Sequence, residues 1–99
     1  MTDGESMITK EEYFKLIAQM FIDGDGVFED SEEGELWFDV TDIRGRDLRG
    51  VISRLNAELK SDGMITASSI YGMGEGHLWF SEKALAEIER MKHSDKRDI

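Results

Sequence analysis

A cluster of cations lies between positions 44 and 60 of a chain that is otherwise strongly acidic. Residues 44–60 carry four arginines and one lysine against two acids, whereas the whole chain has a formal net charge of −10. A helical projection of this segment turns Arg46 and Ser53 outward, with Arg49 and Arg54 on the flanks. A guanidinium group can bind a phosphate or a guanine edge through two parallel hydrogen bonds. We therefore predict a nucleic-acid-binding face made of Arg46, Arg49, Ser53 and Arg54; the alternative is a solvated helix face whose arginines pair with the acidic loop.

The segment from Asp23 to Asp39 has the opposite character. It contains eight carboxylates and no lysine or arginine. Carboxylates spaced along a surface can occupy the cationic groove of a nucleic-acid-binding protein and so mimic DNA phosphates. Under this alternative function the partner is a basic protein. The simpler interpretation is a solvated loop that keeps the chain soluble. The residues that would contact a basic partner are Glu29, Asp30, Glu32, Glu33 and Glu35.

The sequence shows no arrangement typical of a metal centre or a catalytic site. The DGDG segment at residues 23–26 begins like a calcium-binding loop, but the sixth position is Phe28 and the twelfth is Gly34, where such loops have glycine and glutamate. Neither His77 nor His93 has a second histidine or a cysteine at metal-ligand spacing. We therefore expect no metal, no cofactor and no enzymatic activity.

Two pairs of adjacent aromatic residues, Trp37-Phe38 and Trp79-Phe80, could form a stacking or docking surface. Successive side chains of a strand point to opposite faces, so we expect at most one ring of each pair in the core and the other at the surface. If the two outer rings lie on one side of the sheet, they form an interface patch for a partner or for a second copy of the chain.

Length and composition indicate one small intracellular domain. The 99 residues fit a single hydrophobic core. The absence of cysteine excludes disulfides and suits the reducing cytosol. The N-terminal segment carries acids where a signal peptide carries bases, and no apolar run approaches the roughly 18 residues of a membrane span. We expect a cytoplasmic protein with no membrane partner.

Apolar residues at helical spacing predict three main helices. A capping box at Thr9 and Glu12 starts the first, over residues 10–23. The second covers about residues 48–61 and carries the arginine face, and the third follows the cap residue Ser81 and ends near residue 92. The residues on these helices that we expect in the core are Phe14, Ile17, Phe21, Leu48, Val51, Ile52, Leu55, Leu59, Leu85 and Ile88.

Strands are predicted between the helices. Residues 36–40 are aromatic and branched, which favours a strand after an acidic loop at 24–35. Residues 64–71 and 77–81 form a predicted hairpin, closed by the glycine-rich segment 72–76. Those glycines join two strands, whereas a phosphate-binding loop leads from a strand into a helix.

Motifs around the hairpin resemble the winged helix-turn-helix superfamily. The spacing of Leu55, Leu59 and Asp62-Gly63-Met64-Ile65 looks like the end of a recognition helix that enters its wing. The segment 78–84 is similar to the strand-to-helix step of small winged-helix regulators, and the segment 49–53 is similar to small phage and prophage members of the superfamily.

This resemblance implies an α+β fold with a helix, a short strand, a truncated second helix at 41–47, a recognition-type helix, a two-stranded wing and a C-terminal helix. The domain would occupy residues 9–92, between flexible segments at 1–8 and 93–99. The resemblance also implies binding of duplex DNA, a role in transcription regulation, and a homodimer that pairs through Leu85, Ile88 and Met91. The wing of this chain carries Glu75 and no cation, unlike wings that touch DNA, so a protein partner stays open.

Overall fold

The computed structural model describes residues 8–40, 49–72 and 74–97. These residues form an α+β fold with three helices and one three-stranded antiparallel sheet, which confirms the predicted fold class at this level. The predicted short helix at 41–47 lies outside the described residues. The elements in chain order are α1 (Lys10–Asp23), β1 (Glu35–Asp39), α2 (Arg49–Ser61), β2 (Ile65–Ile70), β3 (Glu75–Phe80) and α3 (Glu82–Arg97).

Helix α1 has the predicted bounds because both of its ends are capped as expected. The Thr9 hydroxyl accepts from the Glu12 backbone N–H at 3.0 Å, and the Glu12 carboxylate accepts from the Thr9 N–H at 3.0 Å. Gly24 ends the helix with a φ of 83°, in the left-handed region that glycine adopts without strain. The capped helix buries one face against the core, which includes Phe14 and Ile17.

The sheet has the order β1-β3-β2, so the last strand of the hairpin lies in the middle. Cross-strand register places Leu36 opposite Leu78 and Phe38 opposite Gly76 on the core side. The Phe38 ring covers Gly76 so closely that a Cβ at this glycine would lie 2.5 Å from the ring Cζ. Gly76 therefore serves packing in the sheet, while the predicted turn is made by the residues before it.

Helix α2 is joined to α1 by a buried polar contact that the apolar pattern did not predict. Asn56 is 2% exposed, and its Oδ1 accepts a hydrogen bond from the Tyr13 hydroxyl. The Asn56 Nδ2 has no hydrogen-bond partner among the described residues. Burial raises the pKa of the Tyr13 phenol above its usual range. This contact fixes α2 against α1 at one register, because a shift along either helix would leave further buried polar atoms unpaired.

Helix α3 begins as predicted and ends later than predicted. The Ser81 hydroxyl accepts from the Ala84 N–H at 3.2 Å and donates to the Gly63 carbonyl at 2.6 Å, so one side chain caps α3 and ties it to the end of α2. The helix continues to Arg97 instead of fraying after residue 92, and it includes His93, which we had expected in a tail. No described helix is both long enough and apolar enough to cross a membrane.

The predicted core is confirmed with two kinds of difference. Three predicted residues, Phe21, Val51 and Leu85, are only partly buried and pack against the core from its edge. Leu48 lies outside the described residues. On the α3 stripe predicted to pair with a second copy, Ile88 is buried, whereas Leu85 and Met91 are partly buried and pack against the edge of the core. The predicted residues that are buried are Phe14, Ile17, Ile52, Leu55, Leu59 and Ile88.

Candidate binding surfaces

An aromatic cluster covers the face of the sheet opposite the core. Strand alternation brings Trp37 of β1 together with His77 and Trp79 of β3, so the two outer rings do lie on one side, as the interface hypothesis requires. The His77 ring lies 3.6 Å from the Trp37 ring and 4.0 Å from the Trp79 ring, measured between centroids. The Tyr71 ring is 44% exposed and stacks 5.8 Å from Trp37. We call these four residues the aromatic face.

Glu35 is part of β1 and not of the loop in which it was predicted. Its carboxylate lies 2.6 Å from the His77 Nε2 and accepts from the Trp37 indole N–H at 3.2 Å. The other carboxylate oxygen accepts from the Glu32 backbone N–H at 2.8 Å. The backbone hydrogen bond from Glu32, followed by the hydrogen bond from His77, holds the pKa of the Glu35 carboxyl below its usual range. Glu35 therefore links two rings of the aromatic face, Trp37 and His77, through its carboxylate.

The remaining carboxylates predicted to bind a partner divide into two kinds. Glu32 accepts from the Trp79 indole N–H at 3.2 Å, so it is also tied to the aromatic face. Glu29, Asp30 and Glu33 are exposed. The connection that carries them is held in place, since the Ser31 hydroxyl accepts from the Phe28 N–H at 2.8 Å. We call Glu29, Asp30 and Glu33 the acidic patch. They precede β1, the first strand of the aromatic face, in the sequence.

An open cleft of about 470 Å³ lies between the end of α1 and the tip of the β2–β3 hairpin. We call it the acidic cleft, because Asp25, Asp39 and Glu75 line it together with Phe28 and Trp37. No lysine or arginine is among the described residues of its lining. Phe28 is 58% exposed, the highest value for a large apolar residue in the described chain. A cleft of this composition attracts cations and repels phosphate.

Three members of the predicted nucleic-acid-binding face, Arg49, Ser53 and Arg54, belong to α2. Ser53 and Arg54 are both exposed, together with Gly50 on the same helix. Arg49 is the first residue of α2, and its side chain lies outside the described part of the structure. Arg46 lies outside the described residues altogether. The structure thus places half of the predicted nucleic-acid-binding residues on an outward helix face.

The DGDG segment and the histidines take part in structural contacts. Asp23 is the last residue of α1 and accepts from the Gln19 side-chain N–H at 3.0 Å. His93 lies 3.2 Å from a Glu89 carboxylate oxygen on the surface of α3. Among the described residues, no group of three or more histidines, cysteines or carboxylates is placed to hold a metal ion.

Sequence reasoning missed the contact between Glu35 and His77, although the signal for it was present. Cross-strand register pairs Trp37 with His77 and Glu35 with Trp79, so these residues share a face once β1 and β3 are aligned. Glu35 and His77 are 42 positions apart in the sequence, and the alternation of side chains within each strand does not show which strands pair. The hairpin turn was found because it is local, whereas this cluster depends on a pairing across α2.

Comparisons of the chain with protein-family models, with curated proteins and with solved structures find no match.

Proposed function

We propose that this chain adopts a winged-helix fold. Three features support the proposal: α1 precedes β1, α2 leads directly into the β2–β3 hairpin, and the sheet has the order β1-β3-β2. The segment 41–48 between β1 and α2 is long enough for about two turns of helix. In this fold α2 is the recognition-type helix and the β2–β3 hairpin is the wing.

We propose further that the protein binds duplex DNA through the outward face of α2. The observation that carries this proposal is the orientation of the helix: it buries Ile52 and Leu55 in the core and leaves Gly50, Ser53 and Arg54 exposed. Small side chains let a helix approach the DNA backbone closely, and the arginine supplies a charged donor for phosphate or guanine. Phosphate contacts would set the position of the helix, and contacts to base edges would set its specificity.

Net acidity does not prevent such a contact, because the charges are separated along the chain. The acids of residues 23–39 lie before α2, while residues 44–60 carry an excess of three positive charges. Salt screens exposed charges over about 8 Å at physiological ionic strength, so acids farther than this from the arginines would not cancel their attraction for phosphate. DNA would approach α2 with the acidic patch turned away.

Fluorescence anisotropy with labelled duplexes of mixed sequence, at about 50 mM salt, tests this proposal. The triple variant Arg46→Ala, Arg49→Ala, Arg54→Ala should abolish binding. The matched control removes three exposed cations elsewhere, by Lys15→Ala, Arg90→Ala and Lys92→Ala, and should retain most of the affinity. The wild-type logarithmic salt slope should be near −0.9 for each phosphate contacted, about −3 for three contacts. Equal losses in the two triple variants, or no binding at micromolar protein, would contradict the proposal.

A second candidate function is supported by the acidic patch and the aromatic face. In this candidate the same fold binds a basic protein, because exposed carboxylates flank Glu32, which contacts Trp79 of the aromatic face, and partly exposed rings suit an interface. Charge reversal at Glu29, Asp30 and Glu33 should slow association with a lysine-rich peptide, while the arginine-face variant should leave it nearly unchanged. The opposite pattern in stopped-flow kinetics would remove this candidate and leave DNA binding.

A further inference from the structure

We propose that the acidic cleft binds an arginine side chain of a basic protein partner. This inference rests on the protein-partner candidate and makes it specific, because it names one site and one side chain. The cleft combines the two kinds of group that hold a guanidinium: carboxylates for its N–H donors and an exposed aromatic ring for its flat face.

The carboxylates of the cleft come from separate elements and face one space. Asp25 follows α1, and Glu75 begins β3 at the hairpin tip. Both are exposed, and Asp39 at the end of β1 lies on the same wall. These carboxylates do not converge closely enough to form a metal site in the described chain. A cation with several donors spread over a plane fits such an arrangement better than a small metal ion does.

The walls of the cleft are held by backbone hydrogen bonds. The Trp37 N–H donates to the Gly26 carbonyl at 3.0 Å, and the Val40 N–H donates to the Gly74 carbonyl at 2.9 Å. Gly26 has a φ of 85°, and a Cβ there would lie 1.7 Å from the Trp37 carbonyl oxygen, so only glycine allows this close approach. The cleft is therefore preformed, and ligand binding carries little entropy cost for ordering its backbone.

Arginine fits this site better than lysine. Its guanidinium is planar, more weakly hydrated than an ammonium, and able to stack on an aromatic ring while it donates to carboxylates. Phe28 presents such a ring, because it is 58% exposed and lines the cleft. The ammonium of lysine would keep the charge contact and lose the stacking contact.

Titration with a hexa-arginine peptide, followed by tryptophan fluorescence, tests the inference. The chain has two tryptophans, and Trp37 lines the cleft. Hexa-arginine should bind more tightly than hexa-lysine. Phe28→Ala should weaken binding of the arginine peptide about three- to fivefold and weaken binding of the lysine peptide less. The double variant Asp25→Asn, Glu75→Gln should weaken it about tenfold.

The matched control is Glu58→Gln, Glu82→Gln, which removes the same charge at exposed positions outside the cleft and the acidic patch and should weaken binding of the arginine peptide less than threefold. Equal weakening by the two double variants would overturn the cleft and leave the wider protein-partner candidate in place. Absence of binding by either peptide at millimolar concentration would overturn both. Amide chemical shifts that move at Gly26 and Gly74 on titration would support the cleft, and shifts confined to α2 would contradict it.

Discussion

Gly76→Ala should destabilise the fold through a clash with the Phe38 ring. The added Cβ would lie 2.5 Å from Cζ and 2.8 Å from Cε1 and Cε2 of the Phe38 ring, which is 7% exposed. Carbon atoms normally touch at about 3.5–4.0 Å, so the buried ring must move by about 1 Å. Overpacking of this kind costs about 1–3 kcal/mol. The restricted unfolded chain of the alanine variant offsets about 0.4–1 kcal/mol, and we expect a net loss of about 1–2 kcal/mol.

A double-mutant cycle with Phe38→Leu isolates this clash. Leucine removes the ring carbons that the new methyl group would meet, so the double variant should be more stable than the sum of the single losses predicts by about 1 kcal/mol or more. Urea unfolding followed by far-UV circular dichroism measures the four free energies of unfolding. Losses that add within about 0.3–0.5 kcal/mol would show that the ring is not the group that excludes a side chain at Gly76.

Three further substitutions test the core and the aromatic face. Leu55→Ala should lower the free energy of unfolding by about 2–5 kcal/mol, and an unchanged urea midpoint would remove α2 from the core. Tyr13→Phe should cost about 1–3 kcal/mol, because the Asn56 Oδ1 then loses the hydrogen bond that it accepts from the Tyr13 hydroxyl. Adding Asn56→Leu should recover most of this loss, and failure to recover it would contradict the contact as described. Glu35 has a lowered pKa in the folded state, so its contribution to stability is present above the unfolded value of about 4.3 and is lost as the pH falls through the folded value. Glu35→Gln should therefore reduce the loss of stability on acidification from roughly pH 5 to pH 3, and an identical pH profile would show that the contacts of this carboxylate with His77 and Glu32 do not stabilise the fold.

Local signals in the sequence predicted the elements of this fold well. The capping box at Thr9 and the glycine after Asp23 predicted the first and last residues of α1, and Ser81 predicted the start of α3. These features depend on groups three or four positions apart, whose geometry is set by the helix itself. The end of α3 was predicted too early, because the polar segment after Lys92 has no apolar face to extend the pattern, yet the helix continues.

The candidate surfaces were harder to predict because they are assembled from distant segments. The acids of residues 24–35 were predicted to lie in one loop, whereas the structure places Glu35 in a strand, Glu32 in contact with Trp79, and the others at the surface. Asn56 was missed for a related reason: it lies on the buried side of an apolar stripe, and only the position of Tyr13 on another helix explains how it is accommodated. Pairing of polar groups across elements is not encoded in the periodicity of either one.

The aromatic face has a consequence for how unfolding of this protein is observed. The two tryptophans of the chain both contact the His77 ring, so the tryptophan emission comes entirely from one side of the sheet. Opening of that side would change the fluorescence while the helices and the apolar core stay intact. Coincident transitions by different probes are the usual test of two-state behaviour. In this protein a fluorescence transition that precedes the far-UV dichroism transition would report a local loosening at the surface, and a molten core would have to be demonstrated separately.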